Sequence, residues 1–460
     1  MEIKEATLDE KKDGVVTRKH TMRDRKIMVL LIAFVSLLHL GLIVLVVQHP
    51  DLSIRPDSYG YRSLAESLLQ GNGFVAPGSE TLGLSRTPGY PVFLALLFSI
   101  FGSISWPVAL LQEAVLVLVG LLLYLIASSM REEDVGLWAA LIFGLMINPA
   151  VWALTLLTEV LFTLLVVLSF FLLYKALSSP RVVWLVASGL TLGVATLIRP
   201  SGLMLLPAWC ALFLYANRKV LGQWKPWSNA AILCAGFFLM TLPWMIRNQI
   251  VWDRFTLSSI SHINLGAYLA AGTLEEAEGI SLEQARAMLP LSDVPQPGQK
   301  QAYLDVILSH PQAFMSQYIK GTLAMLLGYG RTTLAQIWGE PFPVGQALDS
   351  LRAGDWQGIW VLLQSANVGA LASMLLLPGL QAIIYVFAGA GFVSMFRQGG
   401  DQRSLAIGIA FICLLILAPV GHVGNARFRV PLEPFLAYLV AAWISPRCPI
   451  HLNNRGSISN

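Results

Sequence analysis

Asp57 sits in the most polar stretch near the start of an otherwise apolar chain, RPDSYGYRSLAESLLQGNGF, which is followed by SRTPGYPVFLALL. The same loop brings Arg55, Arg62 and Arg86 and the tyrosines Tyr59, Tyr61 and Tyr90, but no lysine before Trp106. A carboxylate can accept a proton from an attacking hydroxyl. Guanidinium groups present a planar fork of donors that fits phosphate oxygens. An acid among arginines at a membrane surface points to transfer chemistry on a phosphate-bearing substrate, with Asp57 as the leading catalytic residue. Asp is also a favoured helix N-cap, so Asp57 has a structural alternative.

More distant groups can join it. Glu159, in LLTEVLF, lies in an apolar run, where a carboxylate is costly and signals either a function or an ion pair. Arg199, in TLIRPSG, is a structural partner for it. Arg247 with Asn248, in PWMIRNQ, and Arg427 and Arg429, in GHVGNARFRVPLEP, add further donors. The last two also read as headgroup anchors. The catalytic candidates are therefore Asp57 and Glu159. The substrate-binding candidates are Tyr59, Tyr61, Arg86, Tyr90, Arg199, Arg247, Arg427 and Arg429. Glu113, in LLQEAVLV, reads as structural. His262 and His422 are isolated, and Cys210, Cys234, Cys413 and Cys448 show neither metal spacing nor a disulfide framework, so no metal site is expected.

These residues must be positioned by membrane helices. Of 460 residues, 55% are hydrophobic and only 13% charged, about half the charged share of soluble domains. Runs such as Ile27 to Val47, Val160 to Tyr174 and Leu405 to Val420 carry no charge. Roughly 20 apolar residues cross a bilayer as a helix, so the chain reads as an all-α polytopic membrane protein. The formal charge of +4 is scattered, which argues against a nucleic-acid partner. Eight Lys or Arg in the first 26 residues place that end in the cytoplasm, with Ile27 to Val47 as a retained first span. The loop 48–105 is then outside. Within it Tyr61, Leu64, Ala65, Leu68 and Leu69 recur at helical spacing, predicting a surface helix ended by Gly71 and Gly73. Pro88 to Phe101 reads as a second interfacial or re-entrant helix.

Eleven further spans follow: Trp106–Ser129, Val135–Ile147, Thr155–Leu177, Val182–Leu197, Ser201–Ala216, Ala230–Ile246, Tyr318–Ile337, Trp360–Leu377, Leu380–Phe396, Leu405–Val420 and Val430–Ile444. That gives 12, with both ends inside and Arg131, Lys175, Arg218, Arg397 and Arg447 on the cytoplasmic side. The organisation is a basic tail 1–26, an N-terminal membrane module 27–247, a helical cap 248–311, a C-terminal membrane module 312–445 and a tail 446–460.

The ordered set of motifs, completed by LIRPSGLMLLP and ARFRVPLEPFL, resembles the GT-C superfamily of membrane glycosyltransferases. It is most similar to the branch holding protein O-mannosyltransferases and the aminoarabinose transferases that modify lipid A. The resemblance covers about Ile27 to Ile444. It implies a GT-C-like fold of about 12 transmembrane helices, a catalytic acid in the first outer loop, here Asp57, and a second acid at the end of a later span, here Glu159. Many relatives carry two adjacent acids, whereas Asp57 is followed by Ser58, which leaves the substrate and any metal open.

The implied activity is inverting transfer of a sugar from a polyprenyl phosphate to a lipid, polysaccharide or protein hydroxyl. No cofactor is required and a divalent cation is possible. The implied location is the bacterial inner (plasma) membrane, with the site facing outward. The chemistry agrees, because a departing phosphate needs no proton and one base suffices, unlike glycoside hydrolysis. A flippase or secondary transporter for lipid-linked sugars is the alternative; Glu159 favours it, while no inverted repeat does.

Overall fold

The run after the basic cluster forms α1 (Met22–Gln48), the first helix of the computed structural model. The structure describes residues 22–445, apart from Glu80, 131–132, Pro180, 329–345, 347–349, Arg352, 366–367 and 418–422. Both terminal tails, His422, Arg131 and Arg447 thus lie outside the described residues. Every named element among the described residues is helical; the one β feature is an isolated bridge, Ala76 to Ser79.

The polar loop folds into α2 (Pro56–Leu69), the short α3 (Leu82–Ser85) and α4 (Gly89–Phe101). α2 buries Leu64 and Ala65 and leaves Arg62 and Glu66 paired on its wetter side, as the spacing predicts. Gly71 and Gly73 follow it with φ of 78° and 81°, where a side chain would be strained. α4 has 13 residues, about 20 Å of helix, well short of a hydrocarbon core of about 30 Å.

Next come α5 (Trp106–Met130), α6 (Glu133–Leu145), α7 (Ile147–Ala153), α8 (Glu159–Ser178), α9 (Val182–Ile198), α10 (Leu205–Ala216) and α11 (Trp224–Trp252). α9 packs most extensively on α11 and on α8. Small residues permit this approach: Gly189 lies against the Leu233 carbonyl and Gly236 against that of Val186. Cys210 and Cys234, distant in sequence, meet across α10 and α11 as free thiols 3.5 Å apart. Glu113 of α5 binds His39 of α1 at 2.5 Å, an interhelical tie that suits its structural reading.

Residues 253–311 form short helices: α12 (Ile260–Ile263), a π-helical turn (Asn264–Ala270), α13 (Ala271–Glu278), α14 (Leu282–Ala287) and α15 (Gln299–Ser309). α14 opens with a capping box between Ser281 and Gln284. α16 (Pro311–Leu327) leads away from them, joined to α13 by Lys320 and Glu276. The chain ends with α17 (Trp356–Ser365), α18 (Val368–Gln398), α19 (Gly400–Leu417), a 3₁₀ helix (Ala426–Leu432) and α20 (Glu433–Ile444).

Four helices are long and apolar enough to cross a membrane, Trp106–Met130, Glu159–Ser178, Trp224–Trp252 and Leu376–Gln398. The pair α6–α7, bent by 57°, makes five if counted as one span. Several shorter apolar helices stand beside them, among them Val182–Ile198 and Gln402–Leu417. The expected count of 12 is therefore not reached among the described residues. One reason is that the expected span Trp360–Leu377 starts in α17, while its residues 368–377 run on through Pro378 into the next expected span as one helix, α18, because a proline inside an apolar helix need not end it. Residues 154–158 form a turn, so α8, one of the four, starts at Glu159 rather than Thr155. The last expected span likewise begins as the 3₁₀ helix. The end of Tyr318–Ile337 lies outside the described residues.

Candidate active site

The loop holding Asp57 is fixed at its start. A 3₁₀ turn (Pro50–Ser53) follows α1, and Ser53 accepts a backbone bond from Leu156 at 2.9 Å, docking this chain segment on the turn before α8. α2 then begins with Pro56, whose preset φ suits a first helical position. The N-cap is Arg55, whose backbone N–H donates to Ser58 Oγ at 3.0 Å. Asp57 therefore lies in the first turn but is not the cap, and its carboxylate is directed to arginines instead. The partial positive charge of the helix N-terminus further favours its ionised form.

Those arginines come from opposite ends of the sequence. Arg86, just after α3, donates to Asp57 Oδ1 at 2.8 Å. Arg427 Nη1 lies 2.6 Å from Asp57 Oδ2, and its Nε is 3.7 Å from Glu159 Oε1. Arg199, at the end of α9, donates to that same Glu159 oxygen at 2.8 Å. The result is an alternating ladder: Arg86, Asp57, Arg427, Glu159, Arg199. Aromatic faces brace it. Arg86 lies over Tyr61 at 4.9 Å, and Phe428 is shared by Arg199 and Arg427 at 4.8 and 4.7 Å.

Three guanidiniums against two carboxylates leave the ladder with a net positive charge. Burial by itself would raise the pKa of Asp57, but Arg427 and then Arg86 outweigh it and hold the carboxyl at about 2. Burial likewise opposes charge on Arg427, yet Glu159 and Asp57 keep its pKa above the ordinary value. Arg86 Nε, Arg427 Nε and Glu159 Oε2 are buried without a hydrogen-bond partner. Unpaired buried donors are costly, so two of them beside an excess of positive charge favour an anionic ligand here.

The remaining candidates divide. Tyr61 is in the cluster, edge-on to Tyr90 with ring centres 5.1 Å apart. Tyr90 itself is wholly buried and donates to Gln112 Oε1 at 3.0 Å, so it backs the site rather than touching a ligand. Tyr59 is 66% exposed, on the solvent side of α2. Arg247 is not brought to the ladder. It donates to the carbonyls of Gly83 and Phe74 and to Asn248 Oδ1, and stacks on Trp244, fixing the segment that ends at Arg86. Arg429 is not at the ladder either: it is 1% exposed and paired with Glu433 at 2.8 Å. Both are engaged away from the ladder in this arrangement.

Sequence reasoning missed Gln112, Phe428 and Asn148. Gln112 donates to the carbonyls of Ala153 and Thr155 at 2.8 and 2.7 Å, tying α4 and α5 to the turn before Glu159. The available signal was an uncharged polar side chain within an apolar helix, which must find partners when buried. His262 binds Gln299 at 3.0 Å. Among the described residues no three His, Cys, Asp or Glu gather to hold a metal. Divalent cations want several oxygen ligands; in the ladder both Asp57 oxygens and Glu159 Oε1 are engaged by arginines, which leaves Glu159 Oε2 as its one carboxylate oxygen without a partner.

Residues 85–244 match the sequence model of the dolichyl-phosphate-mannose-protein mannosyltransferase family, which bears out the resemblance drawn from the motifs. That segment contains Arg86, Tyr90, Glu159 and Arg199, while Asp57 and Arg427 lie outside it. Among solved structures, the apo oligosaccharyltransferase of Archaeoglobus fulgidus shares the fold, with a TM-score of 0.50 and 14% identity over 93% of this chain and 51% of that one. The oligosaccharyltransferase AglB of the same organism, in complex with an inhibitory peptide and a dolichol-phosphate, aligns at a TM-score of 0.46 with 14% identity, covering 89% of this chain and 50% of that one. ArnT from Cupriavidus metallidurans bound to undecaprenyl phosphate aligns at 0.40 with 14% identity, covering 92% and 78%. The chain thus spans about half the length of the archaeal enzymes. No curated protein matches it by sequence.

Proposed function

We propose that the protein is an inverting glycosyltransferase that moves a sugar from a polyprenyl phosphate to an acceptor hydroxyl at the extracytoplasmic face of the membrane. The observation that carries this reading is the ladder, in which two carboxylates alternate with three arginines drawn from distant parts of the chain. In the reaction the acceptor oxygen attacks the anomeric carbon as the bond from that carbon to the phosphate oxygen breaks. The phosphate leaves with the electron pair, and Asp57 takes the hydroxyl proton. Arg86, Arg427 and Arg199 neutralise the departing phosphate, the largest electrostatic demand of the step. Glu159 holds Arg199 and Arg427 in place, so charge is preorganised before substrate arrives. Attack from the side opposite the phosphate inverts the configuration.

An Asp57 held at about 2 is a weak base while both arginines grip it. Donor phosphate competes for those arginines, and loosening them restores basicity at the moment it is needed. The match to the dolichyl-phosphate-mannose-protein mannosyltransferase family supports the donor class. Acceptors are lipid, polysaccharide or protein hydroxyls. The motifs equally suit a bacterial inner membrane with the ladder facing outward.

The test is reconstitution in liposomes with a radiolabelled polyprenyl-phosphate sugar and mixed envelope acceptors. Label transferred into a new glycosidic bond, with release of free polyprenyl phosphate, is the expected result. Label that crosses the bilayer while still attached to its prenyl phosphate would replace this reading with transport.

A further inference from the structure

The 3₁₀ helix that carries Arg427 has little intrinsic rigidity, since such helices are short and Pro431 removes a backbone donor. Buried polar groups from elsewhere hold it. Asn148 of α7 donates through Nδ2 to the Ala426 carbonyl at 3.2 Å and to Glu433 Oε1 at 2.8 Å. Its Oδ1 accepts from Trp152 Nε1 at 3.0 Å, which fixes the orientation of the amide. Arg429 donates through Nε to the same Glu433 oxygen and through Nη1 to the carbonyls of Met325 and Leu326, the two residues before the last of α16. Tyr385 of α18 also donates to Leu326, at 2.8 Å.

Arg427 and Arg429 are two residues apart, and at about three residues per turn they point to different sides. One meets Asp57 and the other enters this buried lattice. α7 is also the helix whose end leads, through residues 154–158, to Glu159. Asn148 therefore joins the segment bearing the arginine to the element that delivers the second acid. None of Asn148, Arg429 and Glu433 has an atom paired with the ladder, and all three are buried.

We propose that Asn148, Arg429 and Glu433 are positioning residues that hold Arg427 in register between Asp57 and Glu159. The consequence for catalysis rests on the glycosyltransferase reading, but the geometry does not, so the primary measurement needs no substrate. The charged groups facing Asp57 are Arg86, from the segment after α3, and Arg427, with Tyr61 alongside on α2. Isotope-edited infrared titration of the full chain in nanodiscs, with labelled aspartate and Asp57→Asn as the difference reference, follows this carboxylate directly.

Arg427→Ala sets the limit for removal of one partner. Asn148→Ala is expected to raise the Asp57 midpoint by about one unit, a tenfold change in proton affinity. It should give no further change on the Arg427→Ala background. Glu433→Gln, which removes the charge paired with Arg429, carries an expected rise in the same direction should Asn148→Ala fail to fold. Folded variants that leave Asp57 at the wild-type midpoint, while Arg427→Ala moves it, would overturn the proposal and leave the lattice a purely stabilising feature. In transfer assays kcat should fall in Asn148→Ala but not further when Arg427 is already absent. Absence of transfer in the wild type would instead count against the enzymatic reading and leave the titration result standing.

Discussion

Replacing Asp57 with Asn keeps the shape of the side chain and removes its charge and basicity, so two effects of different size can be separated. For stability, the drop from 3.8 to about 2 corresponds to about 2.5 kcal/mol at most. The side chain is 31% exposed, and solvent screening reduces that to about 1 kcal/mol. Its sign follows from the depressed value: the stabilisation is present above about pH 4 and is lost as pH falls toward 2. For the reaction, loss of a positioned base costs on the order of 10²–10⁴ in rate, about 3–5 kcal/mol. Donor binding should move the other way, because Arg86 and Arg427 lose a competing carboxylate. The expected variant is therefore folded, melts within a few degrees of wild type, binds polyprenyl phosphate at least as tightly, and transfers sugar at least a hundredfold more slowly. Thermal melting, phosphate binding and single-turnover transfer on the same preparation measure all three. Wild-type transfer in a folded Asp57→Asn protein, or donor binding weakened along with the rate, would refute the assignment of Asp57 as the base.

Arg199→Met leaves the buried Glu159 carboxylate, 3% exposed, with only the longer contact to Arg427, and should destabilise by about 3 kcal/mol. Adding Glu159→Gln should recover much of that in a melting assay, though not activity. Arg86→Lys keeps the charge but loses the fork and the stacking on Tyr61; it should lower transfer at least tenfold while expression holds. Gly89→Ala would put a Cβ 2.8 Å from the Leu197 carbonyl and from Ile198 Cγ1, forcing α4 away from α9. A loss of about 1–3 kcal/mol is expected in the melting transition, and unchanged melting would show that α4 is not docked there.

What the residues in order determine is chiefly local. Uncharged apolar runs demand helices because no other backbone satisfies its own polar groups in lipid, and the 3.6-residue recurrence of Leu64, Ala65 and Leu68 makes α2. Glycines with no permissive alternative stop it. Asp57 and Arg86 share a loop, so their meeting was close to readable. The partnerships across the chain were not. Arg427 and Arg429 look equivalent in ARFRVPLEP, yet one meets Asp57 and the other is sealed with Glu433, because the tight turn between them sends them to opposite sides. Tyr90 and Arg247 are of the right type for a ligand, but packing turns one to Gln112 and the other to backbone carbonyls. Pro378 looks like a break and is carried within α18. Spacing along a chain fixes periodicity, whereas the partner of a side chain depends on which elements pack together, and only the tertiary structure decides that.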